Sequence, residues 1–174
     1  KSTIANHPEH ADIVISSQIL VGTIAKLETL FPDRRFAYLP ENYRVINGNP
    51  SHPEYWIAGT RHRTFGFNIL NRLCPETHLN TWVITPEEAE MVKHATNTFL
   101  TLQIQFAKEL AVLCKQHHAD PKEVAAVLRR DPRIGKAYLN PDGDPSPHLL
   151  REVHNMAHLG GGPLIDLLEN QCWQ

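Results

Sequence analysis

The sequence predicts an α/β segment followed by an all-helical one, and three observations predict it. Four short apolar runs alternate with helical patterns as far as Ile84. No strand pattern recurs after Thr85. The stretch Thr85–His118 keeps helical periodicity over its whole length, with no Gly or Pro between Pro86 and Pro121. Alternating strands and helices imply a largely parallel sheet with helices packed on it.

Asp12–Ser17 (DIVISS) reads as a buried strand, and Gly22 and Thr23 open a helix through Leu30. Arg35–Leu39 (RFAYL) is a second strand, followed by Pro40, Glu41 and Asn42. Asn47–Pro53 is rich in Asn, Gly, Ser and Pro and is expected to be a loop. Tyr55–Ala58 is a third strand, Arg61–Leu73 a helix and Asn80–Ile84 a fourth strand. Ligands of such sheets sit beyond the C-terminal ends of the strands, where Ser16, Ser17 and Glu41 fall.

The long helix has its own start signal. Thr85 is an N-cap, Pro86 suits the first helical position and Glu88 completes a capping box. Val92, Ala95, Phe99, Leu102, Phe106, Leu110 and Leu113 form one apolar row; Leu100, Ile104, Ala107, Ala111 and Cys114 form a second. Two rows predict a helix buried on more than one side. Lys93 and Asn97 share another face, four residues apart. Taken alone, they read as a solvated lysine beside a helix asparagine.

Asp120 caps a helix over Pro121–Arg129, Asp131–Gly135 is a turn, and Ala137–Pro147 is a loop with three prolines. His148–His158 is helical, Gly160–Gly162 breaks it, and Pro163 opens a last helix to about Glu169. The domain boundary is expected at 84/85, giving segments 1–84 and 85–174.

The totals exclude several function classes. The chain has 174 residues and a net charge of −2, with no basic surplus pointing to nucleic acid or an anionic membrane. No apolar run is long enough to span a bilayer. Cys74, Cys114 and Cys172 are far apart and odd in number, which predicts reduced thiols in a cytoplasmic protein. The eleven histidines are scattered, and the pairs His7/His10 and His117/His118 lack a third ligand nearby, so no metal site is expected. A start at Lys1, close before a strand, suggests a piece of a longer chain.

At this point several stretches, in order, resemble the UDP-glucose/GDP-mannose dehydrogenase family. Val14–Thr23 (VISSQILVGT) is similar to its S-[ST]-x-x-P-x-G-T segment, and Leu39–Arg44 (LPENYR) to S-P-E-x-x-R. Val92–Phe99 is similar to K-x-x-x-N-x-F, and Phe106–Cys114 to F-x-N-E-x-x-x-x-C. Asp120 with Val124 resembles G-A-D-x-x-x-V, and Asp131–Gly135 resembles D-P-R-I-G. The resemblance covers about Ile13 to Val153. It implies the C-terminal half of an NAD-binding, Rossmann-type domain over 1–84 and a central helical domain over 85–174 that forms a homodimer. It implies NAD as cofactor and a UDP- or GDP-linked sugar as substrate, oxidised at its C6 hydroxyl towards the uronate. The G-x-G-x-x-G start of such a domain is absent, and Gly160–Gly162 follows a helix, so it is no substitute. This chain alone is therefore expected to lack most of both nucleotide sites and to be inactive by itself.

Residue by residue, the resemblance makes Glu41 an acid/base group beside the sugar. It makes Lys93 the cation that steadies an alkoxide, and Asn97 the amide that orients substrate or water. Ser17 falls close to the nicotinamide, Arg133 reaches substrate in the partner subunit, and Tyr138 and Leu139 contact the sugar through their backbone. The departures concern the catalytic loop, G-G-x-C-x-x-[KR]-D in the family. If Arg151-Glu152-Val153 takes the place of its basic-Asp-Val end, Glu152 replaces the aspartate and His148 stands where the nucleophilic cysteine should be. Imidazole cannot readily replace a thiolate that adds to an aldehyde. Leu20, Val45 and Lys108 also depart from common family residues. The alternative is a non-catalytic member, a dimeric nucleotide-sugar-binding scaffold. A third reading, the hydroxyacid dehydrogenases with a similar helical domain, is disfavoured because their lysine and asparagine stand three apart, not four.

Overall fold

The computed structural model describes Ile4 and residues 11–41, 44–46, 49–51, 53–74, 80–134, 139–140 and 142–172, with the backbone alone for 44–46, 49–51 and 172. It divides into two compact units, Lys1–Lys93 and His94–Gln174.

In the first unit the predicted alternation is realised. β1 (Ile13–Ile15) is followed by α1 (Thr23–Leu30) and β2 (Phe36–Tyr38). Next come β3 (Arg44–Ile46), β4 (Asn49–Ser51), β5 (Trp56–Gly59), α2 (Arg63–Leu73) and β6 (Thr81–Ile84). The main sheet has the order β1-β2-β5-β6. β1 runs parallel to β2, with Val14 opposite Ala37, and β5 parallel to β6, with Ala58 opposite Val83. The central pair is antiparallel and meets at Tyr38 and Gly59. The sheet is therefore mixed, with two parallel pairs joined back to back.

Strand periodicity sends alternate residues to opposite faces. Ala37, Leu39, Trp56 and Ala58 pack with Phe65, Ile69 and Leu70 of α2. Phe36, Tyr38 and Ile57 pack on the other face with Ile24 of α1 and Ala89. The central strands β2 and β5 are buried on both faces and read as continuous apolar runs, while Val14 of β1 and Trp82 of β6 are exposed. A Cβ at Gly59 would lie 2.5 Å from Ala89 Cβ and 3.1 Å from Pro86 Cα, so only glycine lets the start of the long helix lie this close to β5.

One expectation is corrected. Asn49–Ser51 was expected to lie in a loop, but it is β4, paired antiparallel with β3 from Arg44↔Ser51 to Ile46↔Asn49. Loop-like composition hid it, because backbone bonds and not side-chain pattern make a two-stranded ribbon. The available signal was Asn47-Gly48, the dipeptide favoured in two-residue hairpins. Those two residues lie outside the described ones.

The long helix is α3 (Pro86–Gln116). Its capping box is formed: the Thr85 amide donates to Glu88 Oε2 at 2.8 Å, and the Glu88 amide to Thr85 Oγ1 at 3.3 Å. The second unit continues with α4 (Pro121–Leu128), α5 (Pro147–His158) and α6 (Pro163–Cys172). Asp120 caps α4 by accepting the Lys122 amide at 2.8 Å. Ala107 and Ala111 of α3 face Ala125 and Leu128 of α4 and Leu139 around a small apolar gap.

The burial of α3 corrects a second expectation. In the second unit the row Ile104, Ala107, Ala111 and Cys114 is buried. Phe99, Phe106 and Leu113 of the other row are 59%, 52% and 53% exposed, and they recur every seven residues on one face. The periodicity located both apolar rows; the second is buried, while of the first Val92 and Leu110 pack within the chain and Phe99, Phe106 and Leu113 stay open.

Candidate active site

In the first unit, the first turns of α3 hold two segments that follow strands. Glu90 is fully buried. Its carboxylate accepts the amides of Gly22 at 2.6 Å and Ile24 at 2.9 Å. Gly22 is the N-cap of α1, in a left-handed conformation (φ 84°) and with no side chain to cap the helix itself. Glu90 thus supplies the cap from 68 residues away, where a negative charge also meets the positive end of the helix dipole. Charge-assisted bonds of this kind are worth about 1.5–3 kcal/mol each.

One turn further on, Lys93 Nζ donates to the backbone carbonyl of Glu41 at 2.6 Å. Glu41 lies three residues beyond β2, and its side chain is exposed. The structure thereby joins two predicted residues that stand 52 positions apart. Ser17 is exposed, two residues beyond β1.

The second unit holds the other predicted residues. Asn97 is half-buried, and its backbone carbonyl accepts Thr101 Oγ1 at 3.0 Å. Glu152 of α5 is fully buried and bonds directly to Nδ1 of His94, itself fully buried. Arg151 Nε lies 3.7 Å from Glu152 Oε1, and Asn155 Nδ2 donates to that oxygen at 3.5 Å. Thr98, one turn along from His94, buries its hydroxyl with no hydrogen-bond partner among the described residues.

His148 is exposed, just after Pro147 at the start of α5. Its Nδ1 lies 3.4 Å from an Arg151 guanidinium nitrogen. A guanidinium only donates, so His148 Nδ1 is the acceptor in this contact. Cys74 and Cys114 are buried free thiols, and burial pushes the Cys74 thiol up. Neither is exposed as a nucleophile must be.

Arg133 is exposed and forks onto Asp131, with contacts of 2.9 and 2.5 Å. The pairing holds the Asp131 carboxyl below its usual range and raises the guanidinium. Leu139 is buried, and its carbonyl accepts an Arg129 guanidinium N–H at 2.9 Å. Tyr138 lies outside the described residues. Sequence reasoning missed Glu90 and His94. Their signal is a polar stripe, Glu90, His94, Thr98 and Thr101, at helical spacing inside an otherwise apolar helix.

The first unit thus carries a small mixed sheet and the start of a long helix, and the second unit is all helical. Residues 87–152 match the model of the UDP-glucose/GDP-mannose dehydrogenase family, central domain. The chain is 41% identical over 150 residues to a UDP-glucose 6-dehydrogenase of Bacillus subtilis, covering 78% of this chain and 33% of that one. Its fold matches a UDP-glucose dehydrogenase from the hyperthermophilic archaeon Pyrobaculum islandicum (TM-score 0.77, 23% identity, 92% of this chain and 40% of that one). It also matches a GDP-mannose dehydrogenase of Pseudomonas aeruginosa (TM-score 0.63, 21% identity, 97% of this chain and 43% of that one). The protein belongs to the UDP-glucose/GDP-mannose dehydrogenase family. It spans between 12% and 38% of the length of the curated relatives it matches.

Proposed function

We propose that this chain forms part of an NAD-dependent dehydrogenase that oxidises the C6 hydroxyl of a UDP- or GDP-linked sugar. Residues 1–84 supply the C-terminal half of its NAD-binding domain, and 85–174 its central dimerisation domain. The observation that carries the reading is the Lys93–Glu41 contact, which anchors an acid/base candidate to a cation on the family-matched helix.

The first oxidation needs a base for the hydroxyl proton and a cation for the developing alkoxide. Glu41 is exposed at a strand end, and its carboxylate takes the proton. The Lys93 ammonium is held near it by the Glu41 carbonyl and stabilises the alkoxide oxygen. The Asn97 amide orients the substrate or a water. Arg133 reaches substrate from the partner subunit after releasing Asp131, and the Tyr138–Leu139 backbone contacts the sugar. Ser17, beyond a parallel strand, fits one contact to the nicotinamide end of NAD, while the glycine-rich loop for its phosphates is not among these residues. NAD, when bound, accepts the hydride.

The exposed stripe Phe99, Phe106 and Leu113 supports a homodimer through α3, because monomers rarely leave large apolar residues aligned in the open. In the full-length protein Phe106→Asp is expected to shift the dimer to monomer by light scattering. An unchanged mass would remove that face from the interface.

A second reading is favoured by His148 in the cysteine's place: a member that binds nucleotide sugars without completing the oxidation. NADH yield per sugar, measured on the full-length protein with a panel of UDP and GDP sugars, separates the two. Two NADH per sugar mean a cysteine-free second oxidation, and one means an aldehyde-forming enzyme. None, despite sugar binding, excludes the dehydrogenase reading and leaves the scaffold.

A further inference from the structure

The C-terminal helical hairpin carries a side-chain cluster that the dehydrogenase reading does not use. His154 and His158 stand four residues apart on α5, and therefore on one face. Glu169 of α6 projects to the same place. One ring nitrogen of each histidine and one Glu169 oxygen lie within 4.8 Å of one another. His154 Nδ1 bonds to Glu169 Oε1 at 2.6 Å, and the two imidazole centroids are 4.0 Å apart.

We propose that His154, His158 and Glu169 form a binding site for a divalent transition-metal ion of the zinc type, tying α5 to α6. Three further observations support it. First, the donor set is right. Two imidazoles and a carboxylate suit zinc, with a water completing a tetrahedron. Second, one ligand is already in the required tautomer. His158 Nδ1 lies 2.9 Å from the His154 carbonyl, which can only accept, so the ring proton sits on Nδ1 and Nε2 presents its lone pair. A backbone carbonyl on the far nitrogen is the usual outer-shell partner of a metal-bound histidine. Third, the hairpin holds the ligands in register. Gly160 ends α5 in a left-handed conformation (φ 87°). The Gly161 amide returns to the Met156 carbonyl and the Gly160 amide to Ala157, a Schellman turn. A Cβ at Gly161 would meet the Met156 carbonyl oxygen and Ile165 Cβ at 2.9 Å. The turn brings α6 back along α5, burying Leu168 and Val153.

Tetrahedral zinc holds its ligand atoms about 3.3 Å apart, given bonds near 2.05 Å. The present spacings bracket that value, from 2.6 Å between His154 and Glu169 to a maximum of 4.8 Å, and the 47% and 24% exposure of these two side chains gives them room to adjust. A His–Glu ion pair explains His154 but leaves the adjacent, tautomer-fixed His158 without a purpose.

The test is titration of the metal-free, full-length protein with Zn²⁺ by calorimetry, and with Co²⁺ by its visible absorption, with Mg²⁺ as control. The expected result is one Zn²⁺ per chain at these residues, intensified tetrahedral Co²⁺ bands and no Mg²⁺ binding. His154→Gln, His158→Gln and Glu169→Gln each weaken Zn²⁺ binding at least about tenfold, while His117→Gln leaves it unchanged. All three ligands lie at the surface of the hairpin, and circular dichroism verifies the fold of each variant. Zn²⁺ binding undiminished in any of the three variants, or no binding by the parent protein, overturns the assignment.

Discussion

On the proposed reaction, replacing Lys93 with alanine in the full-length protein is expected to lower turnover of a nucleotide sugar by about a hundredfold or more, the scale of one lost transition-state donor. The loss falls on kcat more than on KM, because charge on the sugar oxygen develops only during the reaction. The same substitution frees the Glu41 carbonyl, to which Nζ donates at 2.6 Å. Two effects are therefore superposed: a missing cation and a looser anchor for the segment beyond β2. Lys93→Arg separates them. It keeps a positive donor for the carbonyl but cannot keep the same point charge at the oxygen, so it retains stability and recovers little turnover. Unchanged turnover in Lys93→Ala sinks the role given to Lys93.

The second large effect is on stability. His94 and Glu152 are both fully buried and bonded to each other. Breaking such a pair by removing one member is expected to cost about 3–5 kcal/mol, because the remaining polar group stays buried and loses this bond. Glu152→Ala and His94→Ala each shift the urea midpoint sharply downward. His94→Leu combined with Glu152→Met recovers most of the loss, since apolar replacement of a buried pair is often neutral or stabilising. Single variants with wild-type midpoints would mean that the pair contributes nothing to the fold. The double variant also tests activity separately from stability: it folds, but lacks the Glu152 carboxylate.

The two effects arise from neighbouring residues of one helix. Glu90, Lys93 and His94 each bind a residue far away in sequence, by 68, 52 and 58 positions. α3 therefore organises both units. Its first turns cap α1 and hold the segment after β2, and from His94 onward it anchors α5.

How legible this was depended on the range of the interaction. Local signals read cleanly. Thr85 and Glu88 form the capping box that their spacing announced, and Asp120 caps α4. All four predicted strands and all six predicted helices are present, with ends shifted by a few residues. The family was legible too, through short motifs in the right order. The β3–β4 ribbon was not, because its residues carry loop composition and its pairing is made by the backbone. Nor was the antiparallel middle of the sheet: strand periodicity is the same in both directions.

By itself, then, the sequence determined four strands and six helices, the caps of α3 and α4, both apolar rows of α3 and the family to which the protein belongs. Each of these follows from preferences that act within a few residues, or from motifs read along the chain. Only the tertiary structure decided which apolar row is buried, that Glu90 caps α1, that Lys93 meets the Glu41 carbonyl, that His94 pairs with Glu152, and that Glu169 reaches His154. Hydrogen bonds and ion pairs between distant residues depend on where the packed core carries their backbones, and no local pattern encodes that placement.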